Sequence, residues 1–247
     1  MRAQRASKPR RLKVIGFGMG PQHVTPEAAE AIGSVDYLVA FAKGEREDPL
    51  LAVRAEVARR YGDPPVLVVP DPPRDRADPA DYPAAVRDWH EARVAALRAA
   101  LEERPGDVGI LVWGDPSLYD STLRLVDGLD VEVDVVPGIS APQLLAARHR
   151  IVLHEVGAPV HVTTGRRLRE AVAAGQDNLV VMLNSGLDLD GLDDWSIWWG
   201  ANLGAAGEAL VAGRVGDVRD DVLAARDAAK AEAGWVMDLF LLRRAGG

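Results

Sequence analysis

The sequence predicts a two-domain α/β protein with largely parallel sheets covered by helices, and three observations predict it. Apolar runs rich in β-branched residues alternate with segments of helical period along the chain. The breakers Gly157 and Pro159 interrupt that alternation, and it then restarts. A hydrophobic content of 48% over 247 residues supplies enough apolar mass for packed cores.

The run Leu12–Phe17 ends in glycines and reads as the first strand. Pro26, at a first-turn position, opens a helix to Gly33. A second strand is expected at Asp36–Phe41, a helix at Pro49–Tyr61 and a third strand at Val66–Val69. Asp71–Tyr82 is rich in proline and charge, so it reads as a surface excursion and a candidate lid. A helix at Ala84–Glu103, a strand at Val108–Trp113, a helix at Leu118–Gly128, a strand at Val131–Val136 and a helix at Ala141–Arg148 complete a five-stranded unit. The second set has strands near Val160–Thr164, Leu179–Leu183, Ser196–Trp199, Ala209–Arg214 and Val236–Leu242, with helices at Arg166–Ala174 and Asp217–Ala233. With a hinge at Glu155–Pro159, the expected domains are residues 12–156 and 157–247.

Composition narrows the chemistry. The chain has no cysteine, which excludes disulfides, thiolate catalysis and cysteine metal sites, and cytoplasm is the simplest compartment. Its net charge of −8 argues against broad nucleic-acid binding. No apolar run approaches the ~20 residues that span a bilayer, and Arg2 to Arg11 reads as a basic tail without a signal-peptide core. The five histidines show no metal-ligand spacing, so no metal site is expected.

Open α/β sheets bind ligands outside the carboxyl ends of their strands, so the loops there carry the functional reading. The first, Gly16-Phe-Gly-Met-Gly-Pro21, follows a strand and precedes a helix, as in dinucleotide-binding proteins. The comparison fails in detail: Pro21 follows the third glycine directly, and Ala42 and Lys43 stand where an acid at the end of the second strand is needed. The glycines serve equally for a tight turn or for close approach of a ligand to the main chain. His23 adds an imidazole to this loop, a group suited to shuttling a proton. The second loop, Trp113-Gly-Asp-Pro-Ser-Leu-Tyr-Asp-Ser-Thr122, combines a Gly-Asp-Pro turn with hydroxyl groups, and its carboxylate could accept from a ribose or an ammonium group. In the third, Val136-Pro-Gly-Ile-Ser-Ala-Pro142, Ser140 is placed to cap a helix.

These three loops, in this order and at these strand ends, resemble the tetrapyrrole methylase family of S-adenosylmethionine enzymes. The resemblance covers nearly the whole chain and continues through VVML and WWGANLG. It implies two αβα domains with cofactor and substrate meeting in the cleft between them. The stretches WGDPSLYDSTLRL, VPGISAPQLLAARHRI, VTTGRRL and GWVMD are most similar to the branch of aerobic cobalamin synthesis that methylates precorrin-5 at C1 and releases its acetyl group as acetate. Carried over by motif, cofactor contacts fall on Met19, Trp113, Gly114, Asp115, Leu118, Ser140, Ala141, Met182 and, more loosely, Ala201. The precorrin would meet Gly20 and Pro21, and its carboxylates suit Lys43, Arg166 and Arg167. His23, Tyr119 and Asp120 are the polar candidates for activating a water in deacylation. The sequence departs from the family where Gly20 runs into Pro21 without an intervening aspartate, and at Ala42. The resemblance also implies a homodimer. Alternatives are a sister methylase acting on another precorrin or a macromolecule, a nicotinamide oxidoreductase, or a silent binding protein.

Overall fold

A computed structural model of the chain describes residues 10–42, 49–73, 82–234 and 236–244, with only the main chain of Pro49, Tyr82, Pro83 and Ala233. It contains two five-stranded sheets. Contacts divide the chain into compact units at residues 1–139 and 140–247.

In the first unit, β1 (Arg11–Gly16), α1 (Pro26–Gly33), β2 (Tyr37–Ala42), α2 (Pro49–Arg60), β3 (Val66–Pro70), α3 (Tyr82–Glu103), β4 (Val108–Val112), α4 (Thr122–Val126) and β5 (Glu132–Val136) follow in order. The sheet runs β3-β2-β4-β1-β5, parallel throughout. Its strands β2 and β4 are apolar on both faces, as strands of a doubly covered parallel sheet are. Leu12 and Val14 join Leu97, Leu101 and Val126 of α3 and α4 on one side. Ile15 and Phe17 join Ala28, Ile32 and Val57 of α1 and α2 on the other. α4 begins at Thr122, later than the expected Leu118, because residues 115–121 make a turn built on side-chain hydrogen bonds.

The second unit holds α5 (Ala141–His149), β6 (His161–Thr164), α6 (Leu168–Ala173), β7 (Asn178–Met182), β8 (Trp195–Ala201), β9 (Ala209–Arg214), α7 (Val215–Ala233) and β10 (Asp238–Arg244). The order is β6-β7-β10-β8-β9, and only β6 and β7 pair in parallel. This sheet is therefore mixed, where the sequence suggested a largely parallel one. The short link between β8 and β9 leaves no room for a crossover helix, so those strands form an antiparallel pair. Trp195, Ile197, Trp199, Phe240 and Leu242 pack against Val222 and Ala229 of α7.

The sequence assigned α5 to the first domain, with a boundary at 156/157, whereas the compact units part at 139/140. The reason is packing: α5 lies on β8, β9 and β10, where Leu145 fills the space left by Gly200.

Candidate active site

Three loops at the carboxyl ends of the adjacent strands β4, β1 and β5 are joined main chain to main chain. The Phe17 N–H donates to the Val112 carbonyl at 3.1 Å, and Gly18 and Gly114 exchange two hydrogen bonds of 3.2 and 2.9 Å. A Cβ on Gly16 would lie 2.7 Å from the Gly138 nitrogen and 2.9 Å from the Gly114 oxygen. Only glycine permits this approach. Gly18 has φ +77°, and a Cβ there would lie 2.8 Å from His23 Cβ, so the short 3₁₀ turn Pro21–His23 folds back over it. Tyr61 braces that turn by donating to the Pro21 carbonyl at 3.0 Å.

Asp115 staples two of the loops. Its Oδ2 accepts from the Gly138 N–H at 2.9 Å, and its Oδ1 accepts from the Ser117 N–H at 2.9 Å and from the Ser117 hydroxyl. Burial works against the charge, but the hydrogen bonds from Ser117 and Gly138 outweigh it and hold the carboxyl below its ordinary value of 3.8. A depressed pKa adds stability that is present above the unfolded value and lost as pH falls through the folded one. The stability difference between the natural protein and Asp115→Asn, read from urea midpoints, should therefore be flat near neutrality and shrink below about pH 4. A constant difference down to pH 2 would show that the charge of Asp115 does not hold the staple.

The other described candidates of the first unit lie in the first and second loops. Met19 is 4% exposed, so its side chain belongs to the interior of the turn. Trp113 packs edge-to-face on Phe17 at 5.5 Å, and its indole N–H finds no acceptor among the described residues. Leu118 donates its N–H to the Asp115 carbonyl at 3.2 Å. Tyr119 is 45% exposed and adopts φ +51°, a left-handed conformation that costs a bulky residue about 1–3 kcal/mol. Asp120 Oδ1 accepts from the Thr122 N–H at 2.6 Å, which fastens it to the start of α4. Gly20 and Pro21 form the rim of the first loop, and Lys43 lies outside the described residues.

Sequence reasoning missed three groups on this edge. The ladder between β2 and β4 stops at Val39 and Ile110, and Arg54 Nε donates to the next carbonyl, Leu111, at 3.1 Å. Arg93 of α3 forms an ion pair of 2.9 Å with Asp71, with side chains 13% and 7% exposed. Asp71, expected on the surface, is thus buried at the end of β3. Burial pulls the Arg93 guanidinium below its ordinary value, while Asp71 and Asp120 oppose that shift. The one legible signal was Trp89, a helical turn before Arg93, over which the guanidinium stacks.

In the second unit, Ser140 caps α5, its N–H donating to Gln143 Oε1 at 2.8 Å, and Ala141 is the first helical residue. Met182 ends β7 and Ala201 ends β8 on the same edge of the sheet. Each is followed by a left-handed residue, Leu183 at φ +55° and Asn202 at φ +50°. Asn202 Oδ1 accepts from the Met237 N–H, and Asn184 Nδ2 donates to the Asp238 carbonyl. The opposite atoms, Asn202 Nδ2 and Asn184 Oδ1, lack hydrogen-bond partners among the described residues. Arg166 is exposed, and Arg167 forms a two-pronged pair with Glu170.

The family model for tetrapyrrole (corrin/porphyrin) methylases matches residues 11–219, which include all three loops, the first sheet and strands β6 to β9 of the second. The chain belongs to the tetrapyrrole methylase family. A relative in the family, the precorrin-6A synthase [deacetylating] of Sinorhizobium sp, is 39% identical over 95% of each chain. The solved structure of a cobalamin-synthesis-related protein, CobF, from Corynebacterium diphtheriae matches with a TM-score of 0.83 at 34% identity, covering 97% of this chain and all of that one. The uroporphyrin-III C-methyltransferase of Thermus thermophilus, solved with S-adenosyl homocysteine, shares the fold at a TM-score of 0.58 and 18% identity, over 94% of this chain and 92% of its own. Membership in this methylase family sets aside the alternative of a nicotinamide oxidoreductase. Among the described residues there is no acidic or histidine cluster fit for a metal, and no helix is long and apolar enough to cross a membrane.

Proposed function

We propose that this chain transfers a methyl group from S-adenosylmethionine to C1 of precorrin-5 and releases the acetyl group as acetate, giving precorrin-6A. The observation that carries the reading is the 39% identity to a precorrin-6A synthase [deacetylating] over 95% of both chains. The donor set supports the cofactor: Asn202 Nδ2 and Asn184 Oδ1 offer an amide donor and an amide acceptor of the kind an adenosine uses. Bound S-adenosylmethionine supplies an electrophilic methyl on sulfur and leaves as S-adenosylhomocysteine. The residues proposed to hold it are Met19, Trp113, Gly114, Asp115, Leu118, Ser140, Ala141, Met182 and Ala201. Gly20, Pro21, Lys43, Arg166 and Arg167 are proposed for the precorrin.

Methyl transfer to carbon is an in-line displacement, so the protein has chiefly to align the reactants and exclude water, which can supply about 7–11 kcal/mol of the barrier. The rigid junction of Gly16, Gly114 and Gly138 suits that task, because it fixes a main-chain rim without flexible side chains. Deacylation adds water to the acetyl carbonyl, breaks its bond to the ring and leaves the electron pair with the ring as acetate departs. His23, half-buried beside Gly18, is proposed to take the proton of that water. Asp120 is committed to the Thr122 amide and is the weaker candidate, and Tyr119 presents a phenol from the same turn. His23→Ala should slow acetate release at least tenfold relative to methylation; equal slowing of both steps removes it from the deacylation.

The deciding experiment is incubation with precorrin-5 and labelled S-adenosylmethionine, followed by mass analysis. Gain of one methyl with loss of the acetyl group supports the proposal. Gain without loss points instead to a sister activity, such as that of the precorrin-2 C(20)-methyltransferase of Sinorhizobium sp, which is 31% identical over 52% of this chain.

A further inference from the structure

We infer that Arg93 is a positioning residue that locks the strained Tyr119–Ser121 turn against the ends of β2 and β3, so that Tyr119 is presented to the precorrin. The inference rests on the function proposed above, because it names a residue acting through that substrate edge.

Arg93 joins the end of β2 to the loops that follow β3 and β4. Its guanidinium lies 4.2 Å from the ring centre of Phe41, at the end of β2, and 4.8 Å from that of Trp89. Its Nε faces Asp71 at 2.9 Å, just beyond β3, where the Asp71 N–H also donates to the Ala42 carbonyl. Trp89 Nε1 donates to the Pro72 carbonyl at 3.1 Å, holding the same loop from the other side. Towards β4, Arg93 Nη1 reaches the Ser121 hydroxyl in a long contact of 3.4 Å, and the nearby Asp120 charge favours the charged guanidinium.

A planar fork stacked on aromatic rings can hold several partners in fixed directions, which an ammonium group cannot. The turn it reaches needs holding. Tyr119 sits at φ +51°, and such a conformation persists only where its surroundings over-determine it. Here Leu118 is tied to Asp115, Asp120 to Thr122, and Ser121 to Arg93, which pins the residues on both sides of an exposed tyrosine. Arg93 is too deeply buried to meet a large substrate itself, so its effect on the reaction passes through Tyr119.

The test uses Arg93→Lys, which keeps the charge facing Asp71 but loses the fork, and Ser121→Ala, which removes only the loop-side contact. Hydrogen exchange on the full chain reads the turn without turnover: amides 118–122 should exchange at least fivefold faster in both variants, while Gly18 and Gly114 stay protected. Unchanged exchange at 118–122 overturns the inference, whether or not precorrin-5 proves to be the substrate. With precorrin-5, Arg93→Lys should lower kcat about tenfold, leave S-adenosylhomocysteine affinity within twofold, and add little in a Tyr119→Ala background. Additive losses in that cycle, or a matching loss of S-adenosylhomocysteine affinity, would assign Arg93 a purely structural role. Failure of the natural protein to turn over precorrin-5 counts against the proposed function alone.

Discussion

Replacing Gly138 by alanine should collapse the junction of the three loops and destabilise the first unit by about 1–3 kcal/mol or more, the usual cost of forcing a methyl into a filled site. The added Cβ would overlap the Gly114 oxygen and lie 2.7 Å from the Gly16 carbonyl carbon. Both neighbours are main chain, tied into strands β1 and β4, and neither can swing aside as a side-chain end could. Relief requires moving the β5 loop, which breaks the hydrogen bond from the Gly138 N–H to Asp115. Thermal unfolding should fall by on the order of 5 °C or more, and affinity for S-adenosylhomocysteine by at least tenfold. Gly186→Ala is the matched control, since a Cβ there meets nothing within 4 Å. If the two variants melt together, the loops are not packed as tightly as their geometry states.

How legible this junction was depends on the residue. Glycine at Gly16, Gly18, Gly114 and Gly138 marked the loops, because a strand ending in glycine signals either a left-handed turn or a close approach. Which glycines touch one another depends on strand order, and periodicity carries no information on order. The same limit explains α5: its N-cap and apolar residues announce a helix, yet only the tertiary fold decides that Leu145 meets Gly200. Asp115 read as a ligand group or a turn former, and the structure gives it a stapling role that no single loop could reveal, since its partner Gly138 follows a different strand. Arg93 is illegible in the sequence for a similar reason. Phe41 and Asp71 are distant in sequence, and the buried character of Asp71 is masked by the proline-rich, charged segment it opens.

The second large effect is expected in the other unit, at Arg226. Its Nε donates to Asp238 Oδ2 at 2.9 Å, and Trp199 Nε1 donates to the same oxygen at 3.1 Å. Asp238 begins β10, the central strand of its sheet, and its side chain is 1% exposed against 13% for Arg226. Arg226→Met would leave that carboxylate buried with only an indole donor, and breaking one side of such a pair costs about 3–5 kcal/mol. The loss should extend to the β7 loop, because Arg226 Nη2 also donates to the Asn184 carbonyl at 3.2 Å. Asp190→Ala, which breaks an ion pair with an 85% exposed carboxylate, should cost under about 1 kcal/mol. Urea unfolding of both variants provides the comparison, and Arg226→Met/Asp238→Asn should recover part of the loss by removing the stranded charge. Equal midpoints for Arg226→Met and Asp190→Ala would mean that water reaches Asp238, and the buried pair would then not be what secures the edge carrying Asn184 and Asn202.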